Sequence, residues 1–572
     1  MIASPDAKPS FRVLIMGGSG TFGSRLARLL AQDDRIALVV AGRSAARASA
    51  LAETLPSATA LALDRDRPHD VAAALDAVRP DVVVDASGPF QLYGGDPYRI
   101  PRLCLARGIG YLDLADGAAF VAGIDALDGE AVRAGVPVVS GLSTVPALSL
   151  AAADELAAGL ATVEAVRVGI APSPRVAVGL NVLRAILAYA GRPVPVWRSG
   201  RLVLAPGLSG LGRETIAPPG QVPLASRRFA LVDVPDTLLV ASRWPGLQRF
   251  EVGAGLSPAI LHAGAVALAR LARLPFAPSL VALAPVLARL AALLRFGAPR
   301  GGMFVSLDGV TPDGRPVRRR WDLIAEGDDG PFIPAMAAAI VLRDWAGGRA
   351  PPSGARTGAG LVSLVRFEEA FARLDIRTGR REGVPATAGR AEPLYRRALG
   401  PALDAAPKPV RALHDASGHA TWTGRASVQR GRGLAARAAA ALFRFPASGE
   451  DVPVSVRFER QDGRETWTRT FAGRRFRSRQ TLGRGAWAGL VVERFGPIRV
   501  GLAMVLEDGR LRLSVRRWSI AGLPLPLALG PSAGDTYEGA QGERFRFHVE
   551  IWLPFGIFVV RYVGWLAPEP AP

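Results

Sequence analysis

The stretch from Arg12 to Gly23 constrains this chain more than any other. Val13-Leu14-Ile15-Met16 is an apolar run without polar alternation, the pattern of a parallel strand buried on both faces. It runs into Gly17-Gly18-Ser19-Gly20-Thr21-Phe22-Gly23, after which Leu26, Leu29 and Leu30 recur at helical spacing. Strand, glycine turn and helix in that order predict a cradle for a dinucleotide. Gly18 permits the tight turn, Gly20 lets the backbone approach a pyrophosphate, and Gly23 lets helix and strand pack closely. Ser19, Thr21 and Phe22 complete the turn. The helix N-terminus then offers unpaired N–H groups and a partial positive charge to the phosphates. The plainer alternative is a glycine-rich turn in an ordinary α/β domain.

The next strand favours the first reading. Ala37-Leu38-Val39-Val40-Ala41-Gly42 is a second apolar run, ending at Arg43-Ser44. An NAD site places Asp or Glu at this point to hold the ribose hydroxyls. Arg43 instead can pair bidentately with a 2′-phosphate, which argues for NADP, although a solvated arginine is common in so Arg-rich a chain. Ser44 is placed to cap a helix through Leu55. Leu61 to Asp64 reads as a third strand, 70–78 as a helix, and Asp81 to Ala86 as a fourth strand that exits into Ser87-Gly88-Pro89-Phe90. A helix carrying Cys104 and strands at 110–114 and 136–140 follow. Strands alternating with helices imply a parallel sheet covered on both faces, with its ligand beyond the carboxyl ends of the strands. The exits at 18–23, 43–44, Asp64 and 87–90 therefore make up the expected cofactor site. Tyr93 and Asp113 are the candidates for proton donation by position, with packing and helix capping as the structural alternatives.

These segments, with Tyr93-Gly94 and Tyr111-Leu112-Asp113-Leu114, resemble the NADP-binding domain of the saccharopine dehydrogenase-like family. Gly141 to Ser149 is similar to the segment by which that family leaves its first domain. The resemblance extends over about residues 10–380 and implies a dinucleotide-dependent oxidoreductase, without implying saccharopine as substrate. The expected organisation is a Rossmann-type doubly wound parallel sheet over 10–145 and an inserted α+β substrate domain over 146–330. A return segment over 331–378 and a linker over 379–393 follow. Residues 394–572 form a C-terminal, mostly antiparallel β domain that resembles a bacterial domain of unknown function. Within the inserted domain, 257–296 is helical and very apolar, but Gly, Pro, His262 and arginines interrupt it. A buried helical pair or a surface-lying hairpin fits better than a membrane span. Residues 361–376 read as a strand and a short helix.

In the C-terminal domain, 452–459 with 464–471 and 500–506 with 511–518 alternate around Asp-Gly turns. Leu511 to Arg516 has one apolar and one arginine-rich face, so one side of the sheet meets water and helix 434–442 covers the other. Composition adds partners rather than chemistry. Net charge is +20, and 68 of the 70 basic residues are arginine. Residues 396–572 alone carry a net +12. An anionic membrane surface suits such a charge, and no nucleic-acid motif accompanies it. Cys104 is the sole cysteine and the five histidines lack metal-ligand spacing, so no disulfide, metal site or thiol nucleophile is expected. No signal peptide is apparent, which places the chain in the cytoplasm or peripherally on the inner membrane. The expected substrate is a small molecule or a lipid-like one. The alternative is a non-catalytic, membrane-associated NADP sensor or binding module.

Overall fold

The computed structural model describes residues 11–176, 179–274, 279–327, 329–383, 392–416, 419–461 and 463–569. Residues 275–278 of the apolar helical stretch, 384–391 of the expected linker and Asp462 of one Asp-Gly turn lie outside the described residues. The chain divides into two compact units. The first comprises residues up to 212, 227–316 and 324–377, and the second 213–226, 317–323 and 378 onward.

In the first unit the apolar runs become parallel strands. They are β1 (Phe11–Met16), β2 (Ile36–Gly42), β3 (Ala58–Ala62), β4 (Val82–Asp85), β5 (Gly110–Asp113), β6 (Pro137–Ser140) and β7 (Gly354–Thr357). Their order is β7-β6-β5-β4-β1-β2-β3, a doubly wound sheet that reverses direction at β1. Val13 to Met16 are almost wholly buried, because helices cover both faces. Edge strand β3 starts before the expected Leu61 and ends at Ala62, leaving Leu63 and Asp64 in its exit loop. Strand β7 was not expected. Residues 361–376 hold the helix Leu364–Phe371, while the return strand lies earlier, at β7 beside β6. A long strand over Ile376–Gly383 then runs on into the expected linker.

A second sheet in this unit is built on the strand Thr162–Ala171, which pairs parallel with Arg249–Ala254 and antiparallel with Gly301–Val310. The apolar stretch at 257–296 becomes the helices Ala259–Leu271 and Ala284–Leu293, which lie on the surface. Only His262 and Ala269 of the first and Ala284 of the second are buried, while Leu293 is 79% exposed. The surface position is thus realised and the buried pair is not. Among the described residues, no helix is long and apolar enough to cross a membrane.

The second unit contains a closed antiparallel barrel. Its strands are β8 (His419–Arg430), β9 (Gly449–Gln461), β10 (Arg464–Phe471), β11 (Arg474–Leu482), β12 (Val491–Phe495), β13 (Ile498–Glu507), β14 (Arg510–Ile520), β15 (Tyr537–Gln541), β16 (Arg544–Leu553) and β17 (Ile557–Pro568). Each pairs with the next in sequence, and β8 with β17 completes the ring. Alternation sets the two faces: β11 buries Phe476, Ser478 and Gln480 and exposes Arg475, Arg477 and Arg479. The arginine-rich face meets water as expected, but the expected covering helix is corrected here. Closure turns the apolar face inward, and helix 434–442 buries only Ala436 and Ala440.

Candidate functional site

The glycine turn leaves β1 between β4 and β2. Gly17 carries the left-handed backbone, at φ +71°, a role the sequence pattern had assigned to Gly18. Gly18 is needed for another reason, since an added Cβ would stand 2.9 Å from both the Ile15 carbonyl oxygen and the Val40 side chain. Its N–H donates to the Ala41 carbonyl at 2.8 Å, which fixes the turn against β2. At Gly23 a Cβ would overlap the Gly17 carbonyl oxygen and lie 2.8 Å from Gly18 Cα, so helix α1 (Gly23–Leu30) sits directly on the turn. Gly20 is nearly free, with only the Gly17 oxygen at 3.0 Å from such a Cβ. No side chain caps α1, and its first turn holds no acidic residue. Although the Ser24 N–H already donates to the Gly20 carbonyl at 3.1 Å, the positive end of α1 and the bare Gly20 face the place a diphosphate would take.

The other exits border the same edge of the sheet. Arg43 is exposed at the end of β2, and Ser44 caps the following helix by accepting from Arg47 N–H at 3.4 Å. Asp64 turns its carboxylate onto the Asp66 N–H at 3.1 Å. At the end of β4 the buried Asp85 accepts from Ser87 N–H at 2.9 Å, from the Ser87 hydroxyl, and from the Tyr93 hydroxyl at 3.2 Å. Burial and the Asp85 charge push Tyr93 well above its ordinary value, so it keeps its proton. Phe90 is buried against Phe120, with ring centroids 5.1 Å apart, and braces this loop from beneath. At Gly88 a Cβ would make only ordinary contact, 3.7 Å from the Phe90 ring, so nothing in the loop's own packing demands glycine.

Asp113 is wholly buried beyond β5. Its Oδ1 accepts from Ala115 N–H, Gly141 N–H and the Ser140 hydroxyl at 3.0, 2.7 and 3.0 Å, tying together the exits of β5 and β6. Burial outweighs these bonds and raises the carboxyl to about 7. Tyr93 joins the β4 network while Asp113 braces adjacent loops, so the two candidates do not form one acid–base pair. Cys104 is buried and its thiol is pushed up by burial.

Five further residues, none of them singled out by the sequence, reach the site. Arg65, just past β3, stacks its guanidinium on the Tyr93 ring and lies 3.8 Å from Asp85. Asn181, on helix α2 (Leu180–Tyr189), donates to the Ser87 and Gly88 carbonyls at 3.1 and 2.8 Å. Gly179 just before it approaches Thr21 so closely that a Cβ would lie 2.9 Å from the threonine hydroxyl, so α2 begins over the glycine turn. Asp116 accepts from Gln91 at 3.1 Å and is solvent-accessible, yet the protein around it raises its carboxyl, as expected in a recess. Burial and the neighbouring Asp116 raise Asp233 to about 6. Only Arg65, next to Asp64, was within reach of a motif. Asn181 and Asp233 lie far along the chain from the turns they face.

Known proteins can now be set beside this geometry. Residues 13–139 match the family described as saccharopine dehydrogenase NADP binding domain. Residues 407–566 match a domain of unknown function (DUF4166). No curated protein matches the chain. Among solved structures, saccharopine dehydrogenase (L-Glu forming) from Saccharomyces cerevisiae is 14% identical, with 65% of this chain and 100% of that one covered at a TM-score of 0.47. A myo-inositol dehydrogenase from Corynebacterium glutamicum is 13% identical over 60% of this chain and 90% of its own, at 0.31. The WlbA dehydrogenase from Thermus thermophilus, solved with NAD and alpha-ketoglutarate, is 14% identical over 60% and 90%, at 0.29. Likeness this distant bears on no substrate. The nucleotide-binding domain is that of a dehydrogenase-like oxidoreductase with a nicotinamide dinucleotide as cofactor.

Proposed function

We propose that the first unit is an NADP-dependent oxidoreductase acting on a lipid-like substrate at an anionic membrane surface. The observation that carries the choice of cofactor is Arg43, exposed at the end of β2 where an NAD site would place a carboxylate. When bound, the dinucleotide supplies hydride transfer. The N-terminal end of α1 and the bare Gly20 would hold the diphosphate, and Arg43 would pair with the 2′-phosphate. Asn181 and the Asp85–Ser87–Tyr93 network fix the β4 loop from two sides. Asp233 exchanges a proton near neutral pH, as a general acid or base requires, with the solvent-reached Asp116 beside it.

The surface helices support the lipid part of the reading. Ile260, Leu271, Leu274, Val286, Leu290, Leu293 and Phe296 are all exposed. Arg270, Arg273, Arg289 and Arg295 stand exposed among them, and no acidic residue lies between Ser257 and Arg300. Apolar side chains interleaved with arginine suit a helix lying in the headgroup region of an anionic bilayer, where each cation contributes about 1 kcal/mol. The test is twofold. The protein should sediment with anionic vesicles more than with neutral ones, and less so in high salt. NADPH oxidation should respond to a membrane lipid extract more than to a mixture of polar metabolites. Vesicle binding with no turnover on any extract would instead make the nucleotide site that of a sensor. Indifference to both vesicles and extract would refute the lipid reading.

A further inference from the structure

The barrel of the second unit is hollow. A cavity of about 360 Å3 runs inside it, within the ~300–1,000 Å3 of small-molecule sites. Most of its wall is hydrocarbon and aromatic, including Phe458, Phe471, Phe476, Leu502, Phe547 and Tyr562. An apolar cavity left without an occupant costs stability in proportion to its volume. The outside of the same strands is charged, as the arginines of β11 show, so the barrel is apolar within and wetted without. That is the reverse of a membrane-spanning barrel.

The two ends differ. The turns at 471–474, 495–498 and 553–557 share one end with helix 434–442 and the segment 521–536. Phe443, Phe495, Ile520, Leu529 and Pro554 line the cavity there. Around this mouth Leu442, Leu523, Leu527 and Phe555 stand exposed, Phe555 by 93%. At the other end are the turns 507–510 and 541–544 and helices over Leu394–Leu399 and Lys408–Asp415. Polar groups gather toward this floor. His414 Nε2 lies 2.5 Å from Glu538, and Glu493 accepts from Ser478 at 2.6 Å and from Arg469 at 3.3 Å. Gln480 and Tyr395 both line the cavity and are almost wholly buried; their side chains lie within reach of each other, and neither Gln480 Oε1 nor the Tyr395 hydroxyl makes a well-formed hydrogen bond among the described residues. Gln480 Oε1 can accept from, and the Tyr395 hydroxyl donate to, a neutral hydroxyl, while the nearby Glu538 and Glu493 carboxylates disfavour an anionic head group.

We propose that the barrel binds one long-chain alcohol or a comparable hydroxyl-bearing hydrocarbon, its hydroxyl donating to Gln480 and its tail lying toward the apolar mouth. The cavity has room for a single chain and not for a two-tailed lipid. Nothing in this requires the nucleotide site. The two proposals therefore stand or fall separately.

Full-length protein is titrated with bromododecanol, bromododecanoate and bromododecane, each brominated at the chain end, because bromine quenches a tryptophan it touches. Trp467 and Trp518 line the cavity. Saturable one-to-one quenching is expected, tightest for the alcohol and weakest for the carboxylate. Gln480→Leu should weaken the alcohol by about ten-fold, the scale of a lost buried hydrogen bond, and leave bromododecane unchanged. The double variant Val456→Phe/Val500→Phe fills the cavity and should abolish quenching by all three, with its melting transition showing that it folds. The proposal is overturned if none of the three quenches saturably in the wild-type protein. It is also overturned if the folded double variant quenches as before, or if the carboxylate binds as tightly as the alcohol.

Discussion

Replacing Asp113 by asparagine separates the brace from its charge. Asparagine keeps the Oδ1 that accepts from Ala115, Gly141 and Ser140, and it puts an amide where Oδ2 already lacks a partner among the described residues. In the folded protein the carboxyl titrates at about 7, against 3.8 for an ordinary aspartate. Its folded pKa is raised, so between those values the native state binds the extra proton, and stability falls as pH rises through this window. At 1.36 kcal/mol per unit, the whole window is worth at most about 4 kcal/mol. Asp113→Asn should therefore match wild type below about pH 4 and become the more stable protein as pH rises, by up to about 4 kcal/mol above pH 8. Buried Asp236, also raised to about 7, titrates alike in both proteins and cancels in the difference. Urea unfolding of both proteins across pH measures the gap. A gap that stays constant with pH, or that favours wild type in alkali, would refute the argument.

Two other substitutions test the site. Gly23→Ala should push α1 off the turn, at about 1–3 kcal/mol of stability; it should weaken NADPH and NADH alike, as calorimetry would show, and equal binding to wild type would mean the turn tolerates the shift. Asp233→Asn should remove from the pH–rate profile of NADPH oxidation the limb near pH 6 that its raised carboxyl supplies; an unchanged limb would assign it to another group.

What was legible in the sequence follows from range. The buried strands β1, β2 and β4 announce themselves as local apolar runs, and the glycine turn as local spacing. Gly17 was passed over because the motif counts three glycines, whereas the backbone puts its left-handed residue one position earlier. Strand β7 sits in a Gly- and Pro-rich stretch whose four residues carry no hydrophobic period, so only pairing with β6 defines it. In the second unit, alternation revealed single hairpins. Closure depends on β8 meeting β17, more than a hundred residues away, and no local pattern encodes that. The helices at 259–293 show the limit of composition: the same apolar residues fit a core or a surface, and only their exposure decides. Asn181 and Asp233 belong to the site through tertiary packing alone.

The central claim is that Arg43 reads the 2′-phosphate, and paired titrations of NADPH and NADH test it most directly. Arg43→Ala removes a charge-assisted interaction of roughly 1.5–3 kcal/mol, which is about 10- to 100-fold in affinity. The account predicts that loss for NADPH while NADH binding hardly moves. Equal losses for both cofactors, or none for either, would contradict it.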